Sequence, residues 1–338
     1  MKQSLYAWTI IGIIVLFGAS CTKQQRFTDI DQHTQSKEIN IHRFDLQLAN
    51  LDTNNLQQEV IKLYQDYPDF MPFFVEDLLE VPTQDTATTI TLLHDFLTDS
   101  LYRTVNQKVV ETFADITPIQ NKIEKAFARL HYFYPEIKIP ELYFFISGFN
   151  RQVMFNNQIL AMGTDMYLGS DYPLYEEVTY TYMHHSMRPE CLPLDIMSVI
   201  LFRNIRQQNP NPTLLDEMLY RGKIIYLLSV LFQEEDPEEI IGYTKQQWEW
   251  CTYFERKIWA TILDTKHLFS TDNMTISKYI NDAPFTSTVS QDSPGRLGTW
   301  TGWRIIESYM NNNPEITMQE LINQQDAQMI LSKSNYKP

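Results

Sequence analysis

From residue 39 onward, apolar side chains recur mostly at the three- and four-residue spacing that lines one face of a helix. That spacing predicts helices over 56–67 and 68–79, parted at Pro68, and then over 88–97 and 102–113. A longer helix is expected over 119–134, where Ile119, Ile123, Ala126, Phe127, Leu130 and Phe133 form one stripe. Pro135 stops it, because the residue before a proline is driven out of the helical region. The period then changes. Residues 142–146 are a compact aromatic run, and 152–155 and 159–162 flank the polar Asn156-Asn157-Gln158, which reads as a hairpin within a small sheet of about three strands. A loop built around Gly163 and Gly169 follows. Helical spacing returns over 194–205, apolar almost all round and so expected to be buried on most sides, then over 212–231, and over 244–263 with Thr244 as N-cap. Shorter helices are expected over 300–310, 317–322 and 326–332. The fold class is α+β and predominantly helical, with two groups of helices around a small central sheet.

The N-terminus follows a different logic. Lys2 precedes an apolar run over 5–17, then Gly18-Ala19-Ser20-Cys21, the parts of a secretory signal. The run is too short to cross a hydrocarbon core, which takes about 20 helical residues. Small residues directly before a cysteine resemble a bacterial lipobox, although Gly18 stands where leucine is usual. The expected organisation is a signal peptide over 1–20, a lipid-anchored Cys21 with a flexible polar tether to residue 38, and a single domain over 39–338. Thr22-Lys23 offers no acidic sorting signal, which favours a periplasm-facing lipoprotein of the inner or outer membrane over a surface-exposed one.

Composition narrows the partners. Apolar residues make up 43% of the 338, enough to bury a substantial core. The net charge of −15, with no basic stripe, argues against nucleic acid as a partner. Of three cysteines, Cys191 and Cys251 either pair in an oxidising compartment or serve as two small core residues.

Searching for chemistry mostly excludes it. No two of the seven histidines stand at i, i+4, so the H-E-x-x-H helix of a zinc hydrolase is missing. His184-His185 is the one pair, and neighbours on a helix point about 100° apart, so they do not converge on a metal without help; exposed or capping histidines are the plainer reading. Asp165 and Asp171 bracket the glycine loop and could offer oxygens to calcium, but aspartates stabilising turns are the plainer reading. There is no G-x-S-x-G, no P-loop and no G-x-G-x-x-G; Gly295-Arg296-Leu297-Gly298 after Pro294 reads as a turn. Three carboxylates in apolar company remain: Asp195, Glu217 (expected to pair with Arg221 at i, i+4) and Glu255. They are either structural ion pairs or the acid and base of a hydrolase.

The motifs in combination resemble a known family. The stretches 162–175 (MGTDMYLGSDYPLY) and 213–226 (TLLDEMLYRGKIIY), and the series Gly242-Tyr243-Thr244, Trp259, Phe285-Thr286, Ser293-Pro294-Gly295-Arg296-Leu297-Gly298, Gly302-Trp303 and Ser334-Asn335-Tyr336, look like the gliding-motility lipoproteins of the GldB family of Bacteroidetes. The layout is also similar, more remotely, to predicted zinc peptidases. There a zinc-binding helix precedes a segment that supplies the third ligand; here residues 194–203 lack both histidines, and the peptidases' E-G becomes Arg221-Gly222. The resemblance implies a zincin-like arrangement without metal, cofactor or catalytic residue. It also implies an accessory envelope role linked to gliding or type IX secretion, with the membrane held through Cys21 and an envelope protein as partner. A groove left by the ancestral site is expected to be lined by Asp165, Tyr167, Asp171, Glu217, Arg221, Glu255, Arg296 and Trp303. The alternative is an envelope hydrolase using Asp195, Glu217 or Glu255, or an unconventional metal site.

Overall fold

The computed structural model describes Phe27 and residues 29–35 and 37–338; Cys21, the leader before it and much of the first half of the tether lie outside the described residues. In chain order the elements are β1 (Ile41–Arg43), α1 (Phe44–Ala49), α2 (Leu56–Asp66), α3 (Phe70–Asp77), α4 (Thr86–Thr98), α5 (Ser100–Thr112), α6 (Thr117–Phe133), β2 (Glu141–Phe145), β3 (Val153–Phe155), β4 (Ile159–Gly163) and α7 (Tyr175–Val178). There follow α8 (Leu192–Asn204), α9 (Leu214–Leu231), α10 (Pro237–Ile241), α11 (Lys245–Tyr253), α12 (Glu255–Asp264), α13 (Asn273–Ile280), α14 (Leu297–Asn312), α15 (Met318–Asn323) and α16 (Ala327–Ser334). The class is α+β, as the periodicity indicates.

Among the described residues the sheet has four strands, one more than expected, in the order β1-β2-β4-β3. The pair β1 and β2 and the pair β2 and β4 run parallel, while β3 and β4 form the antiparallel hairpin. Asn156 turns that hairpin, its Oδ1 accepting from the backbone of Gln158 and Ile159 at 2.9 Å each. Strand β4 is buried along its whole length, which is why it reads as a continuous apolar run rather than an alternating one. On one face of β2, Tyr143 stacks on Phe70 with ring centroids 4.3 Å apart, and Phe70 meets Phe44 edge-on at 4.9 Å, tying α1 and α3 to the sheet.

The second helical group is organised around α9, buried along most of its length, as a helix apolar on all sides must be. It runs against α14. A capping box starts it: Thr213 Oγ1 accepts from the Asp216 N–H at 3.3 Å, and the Asp216 carboxylate accepts from the Thr213 N–H at 2.8 Å. Thr244 caps α11 as expected, with Gln247 closing the box. The single helix expected over 244–263 is two, α11 and α12, broken at Phe254, while α10 and α13 are helices the spacing did not predict.

The expected tether is partly docked. Phe27 packs edge-on against Phe133 at 5.3 Å, and Ile30 opens a short 3-10 turn over Ile30–His33 with only 3% of its surface exposed. Behind that turn the Arg129 side chain, 1% exposed, is gripped by Asp31 and Glu234.

Candidate functional site

One exposed side of α8 faces a cleft. Asp195, Ser198 and Phe202 stand at i, i+3 and i+7, so they share a stripe on a helix otherwise packed in the core. The cleft has a volume of about 390 Å³ and is closed by Arg221 and Ile225 of α9, the loop after α10, the loop from Ile280 to Asp282, and Arg296 at the start of α14. That size suits a small ligand.

Asp195 sits on the cleft floor. Its Oδ2 accepts hydrogen bonds from the Tyr167 hydroxyl at 2.7 Å and the Gln152 amide at 3.2 Å, and the same amide donates to Tyr167 Oη at 2.8 Å. Burial pushes the Asp195 carboxyl up to about 6; the hydrogen bond from Tyr167 and the nearby charge of Arg296 restrain the shift. Tyr167 is fully buried and its hydroxyl is raised well above its ordinary value, by burial first and then by the Asp195 charge.

Two arginines define the rest. The Arg221 guanidinium lies over the Phe202 ring, 5.0 Å from its centroid, and makes no ion pair among the described residues; its buried Nε has no hydrogen-bond acceptor. The pair expected between Glu217 and Arg221 therefore does not close. Burial raises the Glu217 carboxyl, and the charge of Arg221 offsets only part of that. Arg296 is committed: its Nε meets Asp282 at 3.0 Å and its Nη2 donates to the Ile241 carbonyl at 2.6 Å. It holds a left-handed backbone, φ 56°, at the turn into α14, and Tyr243 donates to the neighbouring Gly295 carbonyl at 2.6 Å. At the rim Arg188 pairs with Glu239 at 2.6 Å.

The other expected groove residues lie elsewhere. Asp165 is fully buried and its carboxylate accepts from the backbone of Ser147 and Phe149 at 2.9 and 2.7 Å and from the Ser147 hydroxyl, which makes it a clamp on the loop after β2. Asp171 is exposed and does not converge with it. Glu255 is neutralised by Arg304 at 3.1 Å and by the Tyr336 hydroxyl at 3.0 Å. Trp303 packs in the core against Trp248. His184 contacts the Tyr175 carbonyl while His185 lies beside Arg188, so the two rings diverge. Among the described residues no three His, Cys, Asp or Glu side chains stand close enough to hold a metal. Cys191 and Cys251 are both free and buried. Sequence reasoning missed Gln152, Ser198, Phe202, Glu239 and Asp282; the one available signal was the polar stripe Asp195, Ser198 on an apolar helix.

The fold and cleft define a predominantly helical α+β protein with a cleft of mixed charge, centred on the partly buried Asp195 carboxylate and the Arg221 guanidinium, which has no ion-pair partner among the described residues. The family model described as gliding motility protein GldB matches residues 23–338, and the chain belongs to that family, one of lipoproteins associated with gliding motility. No curated protein and no solved structure matched it. None of the described helices is long and apolar enough to cross a membrane.

Proposed function

We propose that the protein is a non-catalytic binding component of the cell envelope, tethered through a lipid on Cys21, facing the periplasm, and acting through its cleft in gliding or type IX secretion. The observation that carries this reading is how the carboxylates of the cleft are used. Glu239 and Asp282 are each neutralised by an arginine, and Asp195 is held by a tyrosine and a glutamine. A hydrolase needs an acid and a base converging on one bond with an attacking group between them; the carboxylates nominated for that work, Asp195, Glu217 and Glu255, do not share one cleft. Family membership supports the link to motility. A zincin-like ancestry that lost its metal ligands would leave such a cleft, with Arg221-Gly222 where the peptidases carry their glutamate.

Complementation in the native host, deleted for the gene, tests the reading. Glu217→Gln, which removes a carboxylate nominated for hydrolysis that does not line the cleft, should restore gliding and secretion, whereas Ser198→Trp should fold and reach the membrane yet fail by filling the cleft. Cys21→Ala should leave the protein unanchored. Loss of function with Glu217→Gln at normal protein level, together with full function of Ser198→Trp, would overturn the proposal in favour of the hydrolase.

A further inference from the structure

We infer that the cleft takes a short free peptide of about three residues, its C-terminal carboxylate on Arg221 and its N-terminal ammonium on Asp195. The inference rests on the cleft being the binding site of the preceding reading.

At one end of the cleft, Arg221 presents a planar fork of N–H donors over the Phe202 ring, with no carboxylate paired to it among the described residues. Its Nε is buried without an acceptor, whereas Nη1 and Nη2 are not closed off and make no hydrogen bond among the described residues, so they are the donors open to a ligand oxygen. A guanidinium is matched bidentately by a carboxylate. Glu217, one turn earlier on α9, feels the Arg221 charge but forms no ion pair with it among the described residues, so the donors of the fork stay free.

At the other end, Asp195 uses only Oδ2 for Tyr167 and Gln152, and Oδ1 accepts nothing from the described residues. An ammonium ion is the natural partner of that oxygen, and its charge would draw the buried carboxyl toward the ionised form. The remaining charged groups of the cleft are paired, Arg296 with Asp282 and Glu239 with Arg188 behind it. Asp195 and Arg221 are thus the two poles left for a ligand.

The poles are set apart by the helix. Seven residues of α8 separate Asp195 from the Phe202 ring beneath Arg221, on the order of 10 Å along the axis. Three residues of extended chain span roughly 10 Å. Ser198 lies midway with a hydroxyl for the peptide backbone, and Leu194, Ile225 and Ile280 supply apolar wall for small side chains.

The test is calorimetric titration of the full-length protein in detergent at pH 7.5 with trialanine, N-acetyl-trialanine, trialanine amide, dialanine and pentaalanine. Trialanine should bind at least tenfold more tightly than either blocked peptide and than the shorter and longer chains. In Arg221→Met, which replaces the guanidinium beside Phe202 by an apolar side chain, trialanine and its amide should bind alike; in Asp195→Asn, trialanine and its acetylated form should bind alike. Equal affinity of wild type for free and blocked peptides, or no binding of any of them, overturns the peptide assignment. The binding reading itself fails separately, through full function of Ser198→Trp in cells.

Discussion

Gly222 of α9 and Gly302 of α14 lie backbone against backbone where the two helices cross. A Cβ built on Gly302 would stand 1.8 Å from the Met218 carbonyl oxygen, and one built on Gly222 would stand 2.3 Å from the Gly302 carbonyl carbon. This contact sets the separation of the two central helices, and the residue before Gly222 is Arg221, so it also sets how the guanidinium enters the cleft. The glycines are there for close approach: backbone, unlike the tip of a side chain, cannot step aside.

Gly302→Ala and Gly222→Ala should therefore both destabilise the protein, Gly302→Ala the more. Alanine in an uncrowded helix gains about 1 kcal/mol over glycine, so any net loss understates the clash; overpacking of this kind costs on the order of 3 kcal/mol. Urea unfolding at constant slope measures it. An unchanged or raised midpoint for Gly302→Ala would mean that the helices do not cross this closely.

The Asp195 carboxyl rises from an ordinary value of 3.8 to about 6 in the fold. The folded state thus prefers the protonated form. Its contribution to stability is greatest below pH 4, declines as pH rises from 4 to 6, and is flat above. The penalty at neutral pH is of order 1–3 kcal/mol, since each unit is worth about 1.4. Asp195→Asn removes the charge and keeps an acceptor for Tyr167. Its melting temperature should exceed that of wild type at pH 8 and match it near pH 4; equal differences at both pH values would remove the buried charge as the cause.

Arg129 spends all five of its N–H donors. Two go to Asp31 at 2.7 and 2.8 Å, two to Glu234 at 2.6 and 2.9 Å, and one to the Leu231 carbonyl at 2.6 Å. Bonds from Arg129 hold both carboxylates down to about 2. The stabilisation is present above the ordinary carboxylate range and is lost as pH falls through 4 toward 2. Both carboxylates are about half exposed, so its size is modest, but it locks the segment before the domain in place. Asp31→Asn and Arg129→Met should release that segment and speed tryptic cleavage at the exposed Lys37 several-fold. Unchanged cleavage would mean that Phe27 and Ile30 hold the segment alone.

Much of the fold is legible along the chain because helices carry a strong local signal. The stripe from Ile119 to Phe133, the stop before Pro135 and the Thr244 cap all recur in the structure. Strand β1 is not legible: three residues, Ile41 to Arg43, leave no period to read, and their pairing partner Leu142 lies a hundred residues away. Nor is the break at Phe254, where apolar and aromatic spacing continues through a turn. The site divides the same way. Tyr167, Arg221, Arg296 and Asp195 can be nominated from sequence as unusual residues in motifs, but Gln152, Glu239 and Asp282 reach the cleft from separate loops and helices that only the tertiary fold assembles. Asp165 misleads for a physical reason: an aspartate that clamps a loop through its own hydrogen bonds has the same sequence surroundings as one awaiting a cation.

Cys191 and Cys251 are where sequence leaves two outcomes open and the structure selects one. Both thiols are free and buried; burial pushes Cys191 up to about 11 and Cys251 higher still. At pH 8 a thiol at 11 is ionised roughly a hundredfold less than one at 9, and the thiolate is the reacting form. Iodoacetamide should therefore label Cys191 slowly, because that residue at least lines the cleft, and should not label Cys251 until the protein is unfolded. Saturating trialanine should slow Cys191 labelling further. Peptide mapping of the native protein checks each site: rapid labelling of either cysteine, or a disulfide joining the two, would show that the packing around α8 and α11 differs from that described.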